Sequence, residues 1–567
     1  MPENKPLTGY PSIDKPWLKY YTEEAINAPL PECTMYEYIW EKNKDYPNDV
    51  ALRYYGTKIT YGQLFEHIKS AASAFWTMGV RAGDIVTIMS MHTPETIFSI
   101  YALNYIGAVA NMVYMTLAEN EIIETIENTE SKLFLVLDVA LDRVLAIKDK
   151  ISVPVIVLGV ADSMPPHMKL GYRLKARPKK HDFLTWTSFI KRESSELRLA
   201  TDGAAPAVIV YTSGTTGDSK GVLLNSTSFN AIAAQVPLDG RNYQRGETFL
   251  LMVPPFLGFG ITMINLPLSQ GLDMTLWIEI EFDKVAKEFA RIKPNRFISG
   301  PPIVDPIMKH VKGNLEWLID FTGGGEAISL EKARQFNDFL QRHGSPSRYY
   351  TAYGMSEFGS AVCLEHNHVF REQSVGIPLQ HVVVRVVDPD SGKEQTYGEI
   401  GELCFCTPNT MIGYYKNEAA TRKILEVDQD GKVWVHTGDL GYVDKDGFVF
   451  IKGRLKRVYL TTTSETDSTP FKLFPDRIED LFEAQDGVHL CGVVVKADER
   501  RLNVPVAYVE CKAGTDITEL TETLQHVAEK ELPKHMHPIA IHILDALPMT
   551  ASGKVDYRAL EEMAKEI

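Results

Sequence analysis

The sequence predicts a mixed α/β protein: a large N-terminal domain of layered α/β subdomains with a β-rich subdomain, then a small, mobile α/β C-terminal domain. Three observations carry this. Short, wholly apolar runs alternate with helical patterns in the first half of the chain. The pattern then changes to shorter strands broken by turn residues, and a basic junction near residue 455 leaves about 110 residues for one further domain.

The apolar runs are Ile85–Met89, Leu133–Leu137, Val153–Leu158 and Ala207–Tyr211, and they alternate with helical patterns at 95–106 and 118–128. A strand that is apolar at nearly every position must be covered on both faces, which implies largely parallel sheets flanked by helices. From about 380 to 407 the strands shorten and are separated by Asp388-Pro-Asp-Ser-Gly392 and Tyr397-Gly-Glu399, turn chemistry that suits an antiparallel subdomain. The boundary falls at Gly453-Arg-Leu-Lys-Arg457, after the hairpin-like Tyr442–Ile451, and divides the chain into 1–453 and 454–567. The stretch Thr461–Pro470 reads as an exposed, mobile polar loop.

Composition sets outer limits. With 567 residues, 44% hydrophobic and 23% charged, the chain is globular and long enough for more than one domain. Its net charge of −15 would repel phosphate polymers and anionic bilayers, so nucleic acid is not expected as a partner. The six cysteines form no CxxC pair, which indicates neither a zinc site nor a disulfide framework. The N-terminus lacks the basic-then-apolar order of a signal peptide, and no apolar run reaches the roughly 18 residues of a membrane span. A cytoplasmic location is the expectation.

The strongest local signal is Tyr211-Thr-Ser-Gly-Thr-Thr-Gly-Asp-Ser-Lys-Gly-Val222, which follows the apolar strand ending at Tyr211. Gly214, Gly217 and Gly221 allow backbone amides to approach a ligand closely. The hydroxyls of Thr212, Ser213, Thr215 and Thr216 can donate to anionic oxygens, and Lys220 adds a charge. This composition describes a phosphate cradle, and its spacing differs from GxxxxGK[ST].

The segment resembles the YTSGTTGxPKGV signature of the adenylate-forming superfamily of acyl-CoA synthetases, luciferases and nonribosomal adenylation domains, with Asp218-Ser219 where the family has a variable residue and proline. The resemblance continues in the family's order through Tyr353-Gly-Met-Ser-Glu357, Thr437-Gly-Asp-Leu440, Gly453-Arg-Leu-Lys456 and Pro548–Lys554. Lys15-Pro-Trp-Leu-Lys-Tyr20 and Thr60-Tyr-Gly-Gln-Leu64 look most like the fatty acyl-CoA ligases.

The resemblance implies ATP, Mg2+ and CoA as cofactors, a carboxylic acid substrate, and acyl transfer through an acyl-AMP. It implies that Glu357 and Thr212 hold the magnesium and that Ser356 hydrogen-bonds the α-phosphate. Asp439 would accept the ribose hydroxyls, with Arg454 reaching the ribose or phosphate. Gly323, Gly324, Gly325, Glu326 and Tyr353 would sandwich adenine, and Gly354 and Met355 would be cofactor-binding residues as well. Lys554 would stabilise the charge that builds up while pyrophosphate leaves. Lys456 would sit at the hinge about which the C-terminal domain swings between half-reactions.

The acyl pocket implied by the resemblance is lined by Phe256, Leu257, Gly258, Phe259, Gly260 and Gly300. Amino-acid-activating relatives carry an aspartate in the first of these segments; none occurs from Pro254 to Gly260, so an α-amino acid is not expected. The aromatic and leucine side chains make the walls apolar, the glycines are read as leaving volume, and Leu257 stands where the family often has histidine, which speaks against an aryl acid. The expected substrate is a medium- or long-chain fatty acid.

One departure touches the acceptor. After the GRxK motif, CoA-using relatives continue with a lysine and a glycine loop, whereas here Leu460 occupies the lysine position and no glycine occurs before Gly487. A ligase that loads a carrier protein or an amine is therefore the runner-up. A non-catalytic nucleotide- or acyl-AMP-binding protein is the third reading, opposed by the intact Lys554, Glu357 and Asp439.

Overall fold

The computed structural model describes residues 7–176, 180–212, 220–279, 281–325, 328–366, 369–457, 459–462, 471–498, 501–550 and 554–565. Two large sheets dominate the first 415 residues. The eight-stranded sheet has Ile85–Met89, Val109–Met112, Leu133–Leu137, Val155–Leu158 and Pro206–Tyr211 in parallel, and Gly221–Asn225 folds back antiparallel on Pro206–Tyr211. The nine-stranded sheet has a parallel centre of Val50–Tyr54, Asp273–Leu276, Thr248–Leu251, Arg296–Ser299, Asp320–Gly323 and Tyr349–Gly354. As the apolar runs require, Ile85–Met89, Leu133–Leu137 and Val155–Leu158 are buried at every position.

Helices Tyr61–Thr77, Pro94–Tyr105, Ser226–Gln235 and Gly258–Ser269 contribute to one hydrophobic core shared by both sheets. Pro94–Tyr105 is buried along almost its whole length and Gly258–Ser269 at all positions but Phe259, so neither has a polar face to offer water. Their starts are written in the sequence. Thr60 and Gln63 form a capping box, and Thr93 accepts from Thr96 N ahead of Pro94 at the first helical position.

The β-rich subdomain pairs Val383–Val387, Gly401–Cys406, Val433–Val443 and Leu425–Val427, with Val449–Arg454 returning antiparallel on Val433–Val443. The last rung of that hairpin joins Asp439 to Arg454. A single turn, Leu455–Arg457, leads into the C-terminal part, where Val488–Asp498 and Leu502–Cys511 form a hairpin and Ala540–Leu544 adds a parallel strand. That sheet has its own core of Leu473, Ile478, Phe482, Val493, Val509 and Leu524. Arg457 seats the turn on this unit: it pairs with Asp476 and, at 2.8 Å, with Glu479, and its guanidinium lies 4.0 Å from the Tyr557 ring centre.

The sequence reading of 461–470 needs correction at its start. Tyr459–Thr461 is a strand paired with Phe471–Leu473, and Thr461 and Thr462 are buried rather than exposed. Residues 463–470 lie outside the described residues. Among the described residues, no helix is long and apolar enough to cross a membrane.

Candidate active site

The C-terminal ends of the parallel strands Pro206–Tyr211, Arg296–Ser299, Asp320–Gly323 and Tyr349–Gly354 converge on one region, where open α/β sheets bind ligands. Thr212 and Lys220 form the mouth of the hydroxyl-rich turn: Thr212 N donates to Lys220 O at 3.0 Å and Lys220 N to Thr212 Oγ1 at 3.2 Å. Ser213, Gly214, Thr215, Thr216 and Gly217 lie outside the described residues, as does Glu326.

Gly323 ends its strand where a Cβ would fall 1.7 Å from Tyr349 Oη, so any side chain there would have to displace the buried Tyr349 ring. Gly324 donates to Ser299 O at 3.1 Å, and Gly325 turns the chain with φ +89°, a left-handed conformation open to glycine. Gly354 requires its missing side chain too, since a Cβ would lie 1.8 Å from Ser360 O. Met355 N bonds back to Ser360 O at 3.1 Å, and Ser356–Phe358 is one turn of 3-10 helix that carries Glu357 inward.

Two carboxylates are held in this region. Asp439 is 3% exposed; it accepts from Tyr353 Oη at 2.5 Å and pairs with Arg454 Nε at 2.7 Å. Burial pushes its carboxyl up and Arg454 pulls it back. Glu357 is 6% exposed and accepts from Tyr414 Oη at 2.5 Å; burial pushes it up as well, against the Tyr414 hydrogen bond. Thus Tyr353, Asp439 and Arg454 form one linked group, while Glu357 is tied to the phosphate-turn side, because the Lys220 ammonium lies 5.3 Å from the Tyr414 ring centre. Lys554 arrives from the far end of the chain: its Nζ donates to Gly325 O at 3.1 Å. Lys456 stands in the Leu455–Arg457 turn.

In the segment read as the acyl pocket, Phe256 is buried and packs on Tyr114 with ring centres 4.9 Å apart, while Leu257 and Phe259 are partly buried against the main core. The same Tyr114 donates to Tyr211 O at 3.0 Å, joining this segment to the strand that precedes the phosphate turn. The glycines here act differently from the sequence reading. A Cβ on Gly260 would lie 1.9 Å from Pro254 O, and one on Gly258 3.0 Å from Gly359 O. Both allow close backbone approach rather than leaving room. At Gly300 the nearest atoms would be Pro302 Cδ at 3.4 Å and Gly324 O at 3.5 Å, so Gly300 alone of the three would accept a side chain.

Sequence reasoning missed Tyr414 and Tyr114. Tyr414 reaches Glu357 only because Gly413–Tyr414 pairs with Val222 and Leu223, nearly two hundred residues earlier, a register that nothing in Gly413-Tyr-Tyr415 announces.

The AMP-binding enzyme family matches residues 39–415, and the AMP-binding enzyme C-terminal domain matches 477–554. The chain belongs to the AMP-binding enzyme family. Among relatives of this AMP-binding enzyme, a long-chain-fatty-acid–CoA ligase of Bacillus subtilis (strain 168) is 25% identical over 97% of this chain and 98% of its own. A 4-coumarate–CoA ligase-like 9 of Oryza sativa subsp. japonica is 29% identical over 93% and 92%. The fold is that of the anthranilate CoA ligase AuaEII in complex with anthranoyl-AMP, with a TM-score of 0.80 at 20% identity over 95% of this chain and 99% of that one. The AMP-binding enzyme is accordingly an AMP-forming acid–thiol ligase.

Proposed function

We propose that the enzyme activates an apolar, medium- or long-chain fatty acid to acyl-AMP and transfers the acyl group to CoA, releasing AMP and pyrophosphate. The observation that carries the choice of acid is the wall at 254–260. It holds no charged residue, and Phe256 is buried against Tyr114, so a substrate ammonium or second carboxylate would be left without a partner there.

The geometry supports a role for each residue. Asp439, steadied by Tyr353 and Arg454, presents a carboxylate as paired acceptor to the ribose hydroxyls. The residues fit a magnesium ion: Glu357 is a buried carboxylate disfavoured in its charged form until a cation approaches, and Thr212 offers a hard hydroxyl oxygen. Those two residues would hold it, and its chemistry there is neutralisation of the triphosphate charge. Lys554, already at Gly325, neutralises the charge developing on the α-phosphate and the attacking carboxylate oxygen. After pyrophosphate leaves, rotation at the Leu455–Arg457 turn, where Lys456 sits, withdraws Lys554 so that the thiol can enter.

Acyl transfer to a carrier protein or an amine is the second reading, favoured by the departure at Leu460 and by the strand pairing of Tyr459–Thr461 with Phe471–Leu473 where relatives have a lysine and glycine loop. A pyrophosphate-exchange screen over fatty, aryl and short acids, followed by discharge of the adenylate with and without CoA, tests both. Exchange restricted to aryl or short acids would overturn the substrate, and failure of CoA to accelerate discharge would overturn the acceptor.

A further inference from the structure

Helix Pro166–Ala176 is a small element with an unusual surface. One side is fixed to the protein: Tyr172 Oη donates to Asp138 Oδ1 at 3.2 Å, and Lys169 Nζ donates to Asp162 O at 3.3 Å. On a 3.6-residue helix Leu170 and Leu174 lie together on nearly the opposite side, and they are 61% and 70% exposed. A helix that turns two leucines to water while anchoring through a lysine and a tyrosine has its apolar stripe outward.

The charge around it is equally distinctive. The chain carries a net −15, yet from His167 to His181 the sequence contains Lys169, Arg173, Lys175, Arg177, Lys179 and Lys180 and no Asp or Glu. Lys175 and Lys180 are exposed. At physiological ionic strength charges act over about 8 Å, so what this helix meets is decided by its own basic residues and not by the acidic remainder of the molecule. Asp138 and Asp162 lie beneath it and are engaged by its inner side.

We propose that helix Pro166–Ala176 docks the enzyme on an anionic lipid surface, with Leu170 and Leu174 entering the headgroup boundary and the exposed Lys175 and Lys180 facing lipid phosphates. Exposed leucines flanked by lysine and arginine are the composition of interfacial helices. A second copy of the chain is a poor occupant, because a two-fold contact would set this basic segment against itself. The inference is independent of which acid the enzyme activates.

Co-sedimentation with phosphatidylcholine vesicles, with and without phosphatidylglycerol, tests it using the full chain. The wild-type protein is expected to bind the anionic vesicles at low salt, to lose binding as salt rises, and to ignore neutral ones. Lys175→Glu with Lys180→Glu should weaken binding about fivefold or more for each residue. Leu170→Ser with Leu174→Ser should weaken it more than about tenfold. Both pairs are exposed, so far-UV circular dichroism and the melting midpoint should be unchanged. Wild-type protein that stays in the supernatant, or variants that bind as it does, would overturn the proposal. So would variants that alter only a monomer–dimer balance, which would assign the face to a protein partner.

Discussion

Replacing Lys554 by alanine separates the two half-reactions. In the ground state its Nζ makes a hydrogen bond to Gly325 O at 3.1 Å near the surface, an interaction with a net worth of about 1 kcal/mol at most in such a wet setting. The fold should therefore barely notice the loss. On the proposed role the same ammonium would stand where negative charge accumulates in the transition state, and removal of one preorganised donor of that kind costs about a hundred- to a thousandfold, or about 3–4 kcal/mol. In the orientation seen here the C-terminal part brings Lys554 to Gly325, so the loss should appear in acid-dependent pyrophosphate exchange and not in thioester formation from preformed acyl-AMP. Single-turnover measurement of each step on the same preparation is the assay. Equal losses in both steps, or a melting midpoint lowered by several degrees, would refute the reasoning, because the first would deny the orientation dependence and the second would make the lysine structural.

Gly300→Ala should fold normally and shift preference toward shorter acids, by roughly fourfold per methylene excluded, whereas Gly260→Ala should lower the melting midpoint without a new length profile; a wild-type midpoint for Gly260→Ala would contradict the 1.9 Å approach to Pro254 O. Glu95 is buried, with Ser163 donating to one oxygen at 2.5 Å and the other lacking a hydrogen-bond partner among the described residues. Burial raises its carboxyl from 4.5 to about 7. The folded state thus holds a proton the unfolded chain releases, so stability falls as pH rises from about 4.5 to about 7, by about 3 kcal/mol over the window. Glu95→Gln should be the more stable protein above pH 7 and lose that advantage near pH 4.5, and parallel melting curves of the two proteins across pH would exclude it. Arg457→Ala leaves Asp476 and Glu479 without their charged partner and should destabilise the C-terminal unit by about 3–5 kcal/mol, seen as an earlier unfolding transition; an unchanged transition would show that the guanidinium is not needed there.

How much of this was legible depends on whether a residue's role is local. The strands Ile85–Met89 and Leu133–Leu137 could be read because burial on both faces forces an unbroken apolar run, and Thr60 and Thr93 could cap helices because a cap acts within four residues. Tyr353 and Glu357 sit within one short motif, so the sequence could name both. Tyr414 could not be named, since its contact with Glu357 depends on a strand pairing with Val222. Glycine is the instructive ambiguity. The letter that leaves volume at Gly300 lets backbone press against backbone at Gly258 and Gly260, and only the position of the absent Cβ tells the two uses apart. Likewise Thr461 and Thr462 look solvent-bound by composition but are buried, Thr461 as the end of the strand paired with Phe471–Leu473 and Thr462 directly after it.

The rung that joins Asp439 to Arg454 closes the β-rich subdomain one residue before the turn at Leu455–Arg457. On the roles proposed above, Tyr353, Asp439 and Arg454, which would hold the sugar, precede that turn, and Lys554 follows it. A rotation confined to those three residues would change the chemistry at the phosphate without loosening the nucleoside. On the proposed mechanism, one working face would replace another over a reactive adenylate that need not be released and caught again.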